Sequence, residues 1–243
     1  MKKENIYRGT FYILGLLVLA LGITLNTKSG LGVSPIISVS YSISTILNTN
    51  FGNMTLILYS IFVLVEMILH TYQNRKKKSN RGSGNLKIQL LKDALQFPLS
   101  LVFTRFMNLF AAFIPAYDDA GAGVFYASFT GRIVTLVIAI ILTGIGAAVS
   151  LNMRLIPNPG DGIVQAIADT AGKSVGFTKN CFDLFNITVT FTVGLLFAGK
   201  IIAIGIGTVL AVIGVGRSIA VFNHFFKEKM DKLAGCLSEK TVI

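Results

Sequence analysis

The chain contains no tryptophan, only two cysteines and two histidines, and few charged residues of either sign. Charged residues make up 14% of its 243 positions, whereas an ordinary soluble domain carries about 25%. Apolar residues make up 53% and recur in long runs. Since a helix needs about 20 such residues to cross a bilayer core, the composition excludes an ordinary soluble domain and predicts an all-α polytopic membrane protein.

The cysteines, Cys181 and Cys236, form no spaced pattern that would indicate a disulfide framework. We predict that both are free thiols on the reducing, cytoplasmic side. The sequence also lacks the motifs of zinc proteases, of serine hydrolases and of paired-cysteine metal sites. We therefore predict no enzymatic activity, no catalytic residue, no cofactor and no metal site.

The net charge of +11 would at first suggest nucleic acid as a partner. The placement of the charge argues against it, because seven of the 22 basic residues lie between Arg75 and Lys92, beside apolar segments. Basic residues that flank apolar segments set the orientation of membrane proteins. We predict the lipid bilayer as the main partner and no binding of nucleic acid.

Six apolar segments predict crossing helices, and two shorter polar segments interrupt them. The predicted crossings are 7–25, 54–72, 88–115, 133–151, 181–198 and 201–222, and the short segments are 31–47 and 155–172. A helix over 33–47 would measure about 22 Å, which is too short for a crossing. The predicted organisation is a first membrane repeat over 1–116, an external loop over 117–132, a second repeat over 133–226 and a polar tail over 227–243.

The two repeats are related by a faint internal similarity at an offset of 126 residues. Asn26 aligns with Asn152 and Phe51 aligns with Phe177, and the short segments coincide under the same offset. Each repeat holds three crossings, so the second must be inverted relative to the first. Inverted repeats that contain broken or re-entrant helices are typical of secondary transporters.

The distribution of basic residues predicts that both termini lie in the cytoplasm. With six crossings, 17 of the 22 lysines and arginines fall inside and three outside, while Arg105 and Arg217 fall within crossings. The acidic pair Asp118 and Asp119 would then lie outside. This asymmetry fits a protein of the bacterial cell membrane.

Four stretches of the chain together resemble the bacterial membrane proteins grouped as the YczE/YyaS/YitT family. They are residues 30–41 (GLGVSPIISVSY), 95–103 (LQFPLSLVF), 159–167 (PGDGIVQAI) and 205–216 (GIGTVLAVIGVG). The family often has proline where this chain has Arg217. The resemblance implies a multi-pass protein of the cell membrane and brings no catalytic residues.

The short segment 155–172 is the most informative stretch, because two prolines and two glycines interrupt it between apolar runs. Asp161, Gln165 and Asp169 would share one face of a helix there. Two interpretations stay open: the segment enters the membrane and lines a solute pathway, or it is a cytoplasmic connector with solvated acids. The candidate substrate-binding or pathway residues are Asp161, Gln165, Asp169, Asn158, Ser34, Ser38, Tyr41, Arg105 and Arg217.

Each candidate also has a purely structural interpretation. The hydroxyls of the segment 31–47 could serve helix packing alone. Arg105 and Arg217 could extend toward the nearer membrane surface, or pair with Asp93, Asp183 or an anionic solute. Glu66 would lie exposed near the inner end of its crossing.

We predict a secondary transporter or exporter of a small polar solute that the sequence does not identify. The alternative is a membrane accessory or regulatory protein that acts on another membrane or biosynthetic complex. A membrane-protein partner and a homo-oligomer both stay open.

Overall fold

The computed structural model of the chain describes residues 2–78, 86–118 and 125–236. Within these ranges the fold is all-α, with eight α-helices and one short 3₁₀ turn at Phe125–Ala127. The helices are α1 (Lys2–Lys28), α2 (Pro35–Ile46), α3 (Phe51–Lys78), α4 (Leu86–Phe113), α5 (Phe129–Asn152), α6 (Pro159–Ala171), α7 (Val175–Ala198) and α8 (Ile206–Leu233). Residues 79–85, 119–124 and 237–243, which include Arg81 and Asp119, lie outside the described residues.

Five of the described helices are long and apolar enough to cross a membrane: α1, α3, α5, α7 and α8. The chain is therefore a multi-pass membrane protein. Helix α4 has 28 residues, which is also long enough, but it lies outside this set because polar residues follow one of its faces. Its buried residues include Asp93, Gln96, Ser100 and Thr104.

Several helix ends differ from the predicted segments. The predicted crossing 201–222 begins instead at Ile206, because Lys200–Gly205 is not helical and Ala203 has a positive φ of 68°. The same helix continues to Leu233, so the first residues of the predicted polar tail are helical. Helix α7 begins at Val175, six residues before the predicted crossing, because Ser174 caps it by accepting a hydrogen bond from the Phe177 N–H.

The described chain forms two compact units, and neither is continuous in sequence. The first unit combines Met1–Gly32, Leu109–Leu155 and Gly205–Ile243. Within it, α1 packs along α5, and α5 packs along α8. Glycines allow α1 and α5 to approach closely, since a side chain at Gly15 would lie 2.6 Å from the Ser150 nitrogen and one at Gly22 would lie 2.5 Å from the Thr143 nitrogen. Residue numbers rise along α1 as they fall along α5, so the two helices are antiparallel.

Polar contacts secure both ends of the first unit. At one end, Arg8 donates to the Met153 carbonyl at 2.7 Å and to the Arg154 carbonyl at 3.0 Å. At the other end, Arg132 donates to the Ser29 carbonyl at 2.9 Å and to the Gly30 carbonyl at 2.7 Å. These bonds satisfy carbonyls that the ends of α1 and α5 leave free.

The first and last helices of this unit meet at the same end. A side chain added at Gly235, just after α8, would touch Glu4 in the first turn of α1. The start of α8 lies at the opposite end, where the Gly207 N–H donates to the Leu31 carbonyl at 2.7 Å. The N-terminal end of α1 and the C-terminal end of α8 therefore lie on the same side of the unit.

The second unit combines Val33–Asn108 with Ile156–Ile204. Here the short helix α2 packs against α7 and α3, and the short helix α6 packs against α3 and α7. Hydrogen bonds fix these positions: Ser38 Oγ and Thr190 Oγ1 are 2.7 Å apart, and Gln73 Nε2 donates to Thr170 Oγ1 at 2.7 Å. Each short helix thus has its buried face against long helices from both halves of the sequence.

Candidate functional site

The start of α6 is fixed by the residues that also interrupt the apolar pattern. Asn158 is buried at the N-cap, and its Oδ1 accepts a hydrogen bond from the Gly160 N–H at 3.1 Å. Pro159 follows at the first helical position, where its missing N–H costs nothing. Gly172 ends the helix in the left-handed conformation at φ 64°, which favours glycine. The predicted segment 155–172 therefore contains a 13-residue helix with a defined cap at each end.

The first turns of α2 and α6 meet inside the second unit. A side chain at Gly160 would lie 3.0 Å from Ile36 Cγ1, so these two residues are in contact. Each helix carries a proline at its start, Pro35 in α2 and Pro159 in α6. The first N–H groups of a helix lack partners within that helix, and the helix dipole is positive there. Two helix N-termini therefore converge at this point.

Asp161 lies in the first turn of α6, among charged and polar groups of the second unit. It interacts with Tyr59 of α3, which is itself buried beside Asn158. Burial raises the pKa of the Asp161 carboxyl, the nearby Lys179 opposes this change, and Asp183 adds to it. Lys179 itself pairs with Asp183 at 3.2 Å. Asp161 is thus half-buried rather than fully solvated.

Gln165 and Asp169 lie on the exposed side of α6, and they bond to each other. Gln165 Nε2 donates to Asp169 Oδ1 at 2.8 Å. Gly162, Ile163, Val164 and Ala166 occupy the buried side of the same helix. The predicted shared face of Asp161, Gln165 and Asp169 therefore exists, and it turns away from the packed side of α6.

The candidates in α2 are mainly engaged in packing. Ser38 is fully buried, and its Oγ also donates to the Pro35 carbonyl at 2.8 Å. Ser34 occupies the N-cap position of α2. The Tyr41 ring packs edge-on against Phe51, with 5.4 Å between ring centroids.

The two arginines within apolar helices, Arg105 and Arg217, are both exposed. Arg105 is exposed and donates to Asn53 Oδ1 at 3.0 Å. Arg217 is exposed about midway along α8. Neither forms the suggested pair with Asp93 or Asp183, since the structure pairs Asp93 with His70 and Asp183 with Lys179.

A polar cluster that the sequence did not predict lies between α3, α4 and α6, and we name it the Glu66 cluster: Glu66, His70, Asp93 and Gln96. His70 Nδ1 and Asp93 Oδ2 are 2.8 Å apart, and Gln96 Nε2 donates to Glu66 Oε1 at 2.8 Å. Glu66 is 2% exposed, Asp93 1% and Gln96 0%. The expectation that Glu66 lies exposed was wrong, because α4 and α6 cover this face of α3.

Two acceptor atoms of the Glu66 cluster have no partner among the described residues. They are Glu66 Oε2 and Gln96 Oε1. Both face Gly162, where an added side chain would begin 2.6 Å from Glu66 Oε2 and 3.1 Å from Gln96 Oε1. The second glycine of the PGDG stretch is therefore required by packing against this cluster.

A sequence signal for the cluster existed, but it was weak. Glu66 and His70 are four residues apart, and Asp93 and Gln96 are three apart, so each pair shares one helix face. What the sequence does not reveal is that these two faces meet. That depends on the antiparallel packing of α3 and α4, in which Tyr59 meets Phe103 and His70 meets Asp93.

Comparison with known proteins gives a family but no activity. The model of a family of unknown function (DUF6198) matches residues 6–224. The uncharacterized membrane protein YczE of Bacillus subtilis (strain 168) is 26% identical over 234 residues, covering 92% of this chain and 93% of YczE. The uncharacterized protein YyaS of the same organism is 25% identical over 224 residues, covering 90% of this chain and 96% of YyaS. No solved structure matches.

Proposed function

Because this chain belongs to the DUF6198 family, whose function is unknown, we propose its function from its own geometry: it is a secondary transporter or exporter of a small polar solute. The resemblance to YczE and YyaS, seen first in four sequence stretches, is confirmed as distant homology. It supports membrane residence and leaves the activity open. The proposal involves no catalytic step.

The observation that carries the proposal is the meeting of α2 and α6 at their first turns. The two helices have 12 and 13 residues, or about 18–20 Å at ~1.5 Å per residue, which is too short to cross a core of about 30 Å. Interrupted helices of this kind hold polar solutes in secondary transporters, because the positive ends of their helix dipoles point at the solute at membrane depth. Ile36 and Gly160 mark the meeting point.

We also propose that the chain consists of two inverted repeats, with α4 as a sixth crossing. Three features support this proposal. The helices of each half follow the same order of long, short, long and long, and α1 and α5, which would correspond, are antiparallel. In addition, the short helix of each half packs against the second long helix of the other half. Both termini would lie in the cytoplasm, as the basic residues predict.

Transport by the purified chain in liposomes tests the proposal. Vesicles preloaded with one solute from a panel of amino acids, sugars and nucleosides should exchange it for the same labelled solute outside. Gly160→Val should lower this exchange, because the added methyls fall against Ile36. Gly176→Val is the matched control, since Gly176 has no atom within 4 Å of an added Cβ.

A second candidate function is a membrane accessory protein, and the position of Arg217 favours it. An exposed arginine about midway along an apolar helix is costly in lipid, and a partner protein or a second copy would cover it. Absence of exchange for every solute, together with co-purification of one fixed membrane partner, would establish this candidate and refute transport.

A further inference from the structure

We propose that the Glu66 cluster binds a divalent first-row transition-metal ion through Glu66, His70, Asp93 and Gln96. The site would hold the ion whether or not the chain transports a solute. Three of its ligand atoms, one each from Glu66, His70 and Asp93, already lie within 4.8 Å of one another. Neighbouring ligands around an ion at about 2.1 Å are about 3 Å apart, so closure needs movements of roughly 1 Å or less.

The charge of the cluster calls for a cation. It holds two buried carboxylates, and His70 is the only basic group within 4.0 Å of either one in the described part of the chain. Buried charges without compensation are strongly unfavourable, so a buried carboxyl group is protonated, is paired or coordinates a metal. A divalent ion would neutralise both carboxylates while His70 binds as the neutral imidazole.

The unpartnered atoms show where the ion would sit. Glu66 Oε2 and Gln96 Oε1 are both acceptors, both lack a partner among the described residues, and both face Gly162. Nearly all buried acceptors in folded proteins are satisfied, so two that face one point indicate a missing donor or cation. Because Gly162 has no side chain, the backbone of α6 can lie beside these two oxygens without a clash.

The donor set selects the class of ion. One imidazole nitrogen with two carboxylates and one amide oxygen suits Mn²⁺, Fe²⁺, Co²⁺ or Zn²⁺ better than Mg²⁺ or Ca²⁺, which prefer oxygen alone. The burial of Glu66, Asp93 and Gln96 also disfavours Mg²⁺, which usually keeps several of its waters. The His70 side chain is 10% exposed, which gives an ion a route of entry.

Direct metal binding by the wild-type chain is the first test. The purified, tag-free chain in detergent is dialysed at neutral pH against Co²⁺ or Mn²⁺ with excess Mg²⁺ present. We expect one saturable ion per chain, with the intense visible absorption of a low-coordinate Co²⁺ site and a nitrogen ligand in its X-ray absorption spectrum. No retained ion, or Co²⁺ with the spectrum of the hydrated ion, would overturn the proposal.

Variants then assign the site. Glu66→Gln and His70→Gln should each lower the affinity at least about tenfold, as loss of even an outer-shell partner commonly does. Glu228→Gln is the matched control, because it makes the same change at an exposed acid of α8 that is not part of the cluster and should leave the affinity unchanged. Unchanged binding in both cluster variants would place the ion elsewhere and refute the proposal.

Gly162→Ala provides a further test of the site if the ligand variants fail to fold. It retains every ligand but directs a methyl group against Glu66 Oε2 and Gln96 Oε1. We expect weaker Co²⁺ binding and an altered visible spectrum, with the helical circular dichroism unchanged. Wild-type affinity together with a wild-type spectrum would contradict the position assigned to the ion.

Discussion

Replacing Gly15 by alanine should destabilise the first unit, whereas the same replacement at Gly9 should stabilise it. Both glycines lie within α1 and have ordinary helical backbone angles. Alanine is favoured over glycine in a helix interior by about 0.5–1 kcal/mol. At Gly9 nothing lies within 4 Å of the added Cβ, so this gain is the whole expected effect.

At Gly15 the added Cβ would lie 2.6 Å from the Ser150 nitrogen and 3.0 Å from the Gly146 carbonyl oxygen. These are backbone atoms, so no side-chain rotation can relieve the clash and the two helices must separate. Overpacking of this kind costs about 1–3 kcal/mol. After subtraction of the helix gain, Gly15→Ala should lose up to about 2.5 kcal/mol of stability.

Thermal unfolding in detergent, followed by circular dichroism at the helical minimum, measures the difference. One kcal/mol corresponds to about 2–4 °C for a chain of 150–250 residues. The melting temperatures of Gly9→Ala and Gly15→Ala should therefore differ by at least about 2 °C, with Gly15→Ala lower. Equal melting temperatures would refute the close backbone contact between α1 and α5.

The remaining predictions concern orientation, α6 and the Glu66 cluster. For orientation, single cysteines are placed at Asp118 and Lys232 in a cysteine-free background. The cysteine at position 118 should react with a thiol reagent added outside, whereas the one at position 232 should react only with reagent on the inside. Outside labelling at position 232 would refute the proposed topology. Asp161→Asn should lower solute exchange or ligand binding about ten- to a hundredfold, because a charge-assisted contact is lost. Asp169→Asn should have a smaller effect. Full activity of Asp161→Asn would show that α6 is a connector. Because the folded pKa of Asp161 lies above the ordinary 3.8, ionisation opposes folding as the pH rises, so the melting temperature of Asp161→Asn relative to wild type should increase as the pH is raised above about 4. Gly162→Ala should melt below Gly176→Ala, whose added methyl meets nothing.

Local sequence signals predicted the short helices well. The predicted segment 155–172 contains α6 at Pro159–Ala171, and 31–47 contains α2 at Pro35–Ile46. Proline at the first helical position and glycine after the last act through the backbone of one or two residues, so they need no tertiary information. The long apolar runs were equally informative, because lipid requires every backbone group of a crossing to be satisfied within its own helix.

Features that depend on packing between helices could not be predicted. The start of α8 was placed five residues early, since Ile201 and Ile202 continue the apolar run although Ala203 breaks the helical backbone. The Glu66 cluster was missed because the sequence does not show which faces of α3 and α4 meet. The candidates Asp161, Gln165 and Asp169 were found on one face of α6, and their role stays a prediction.

Each unit is built from stretches that are separated in the sequence, and this determines when each unit can form during synthesis. The first unit needs α1, α5 and α8, and the second needs α2, α3, α4, α6 and α7. At about 5–20 residues per second, α8 leaves the ribosome roughly 10–40 s after α1. Until α5 has been synthesised, the glycine face of α1 can contact only lipid or the insertion machinery. A nascent chain halted at residue 155 would hold the α1–α5 pair but neither finished unit, so the first unit is completed only when α8 is added.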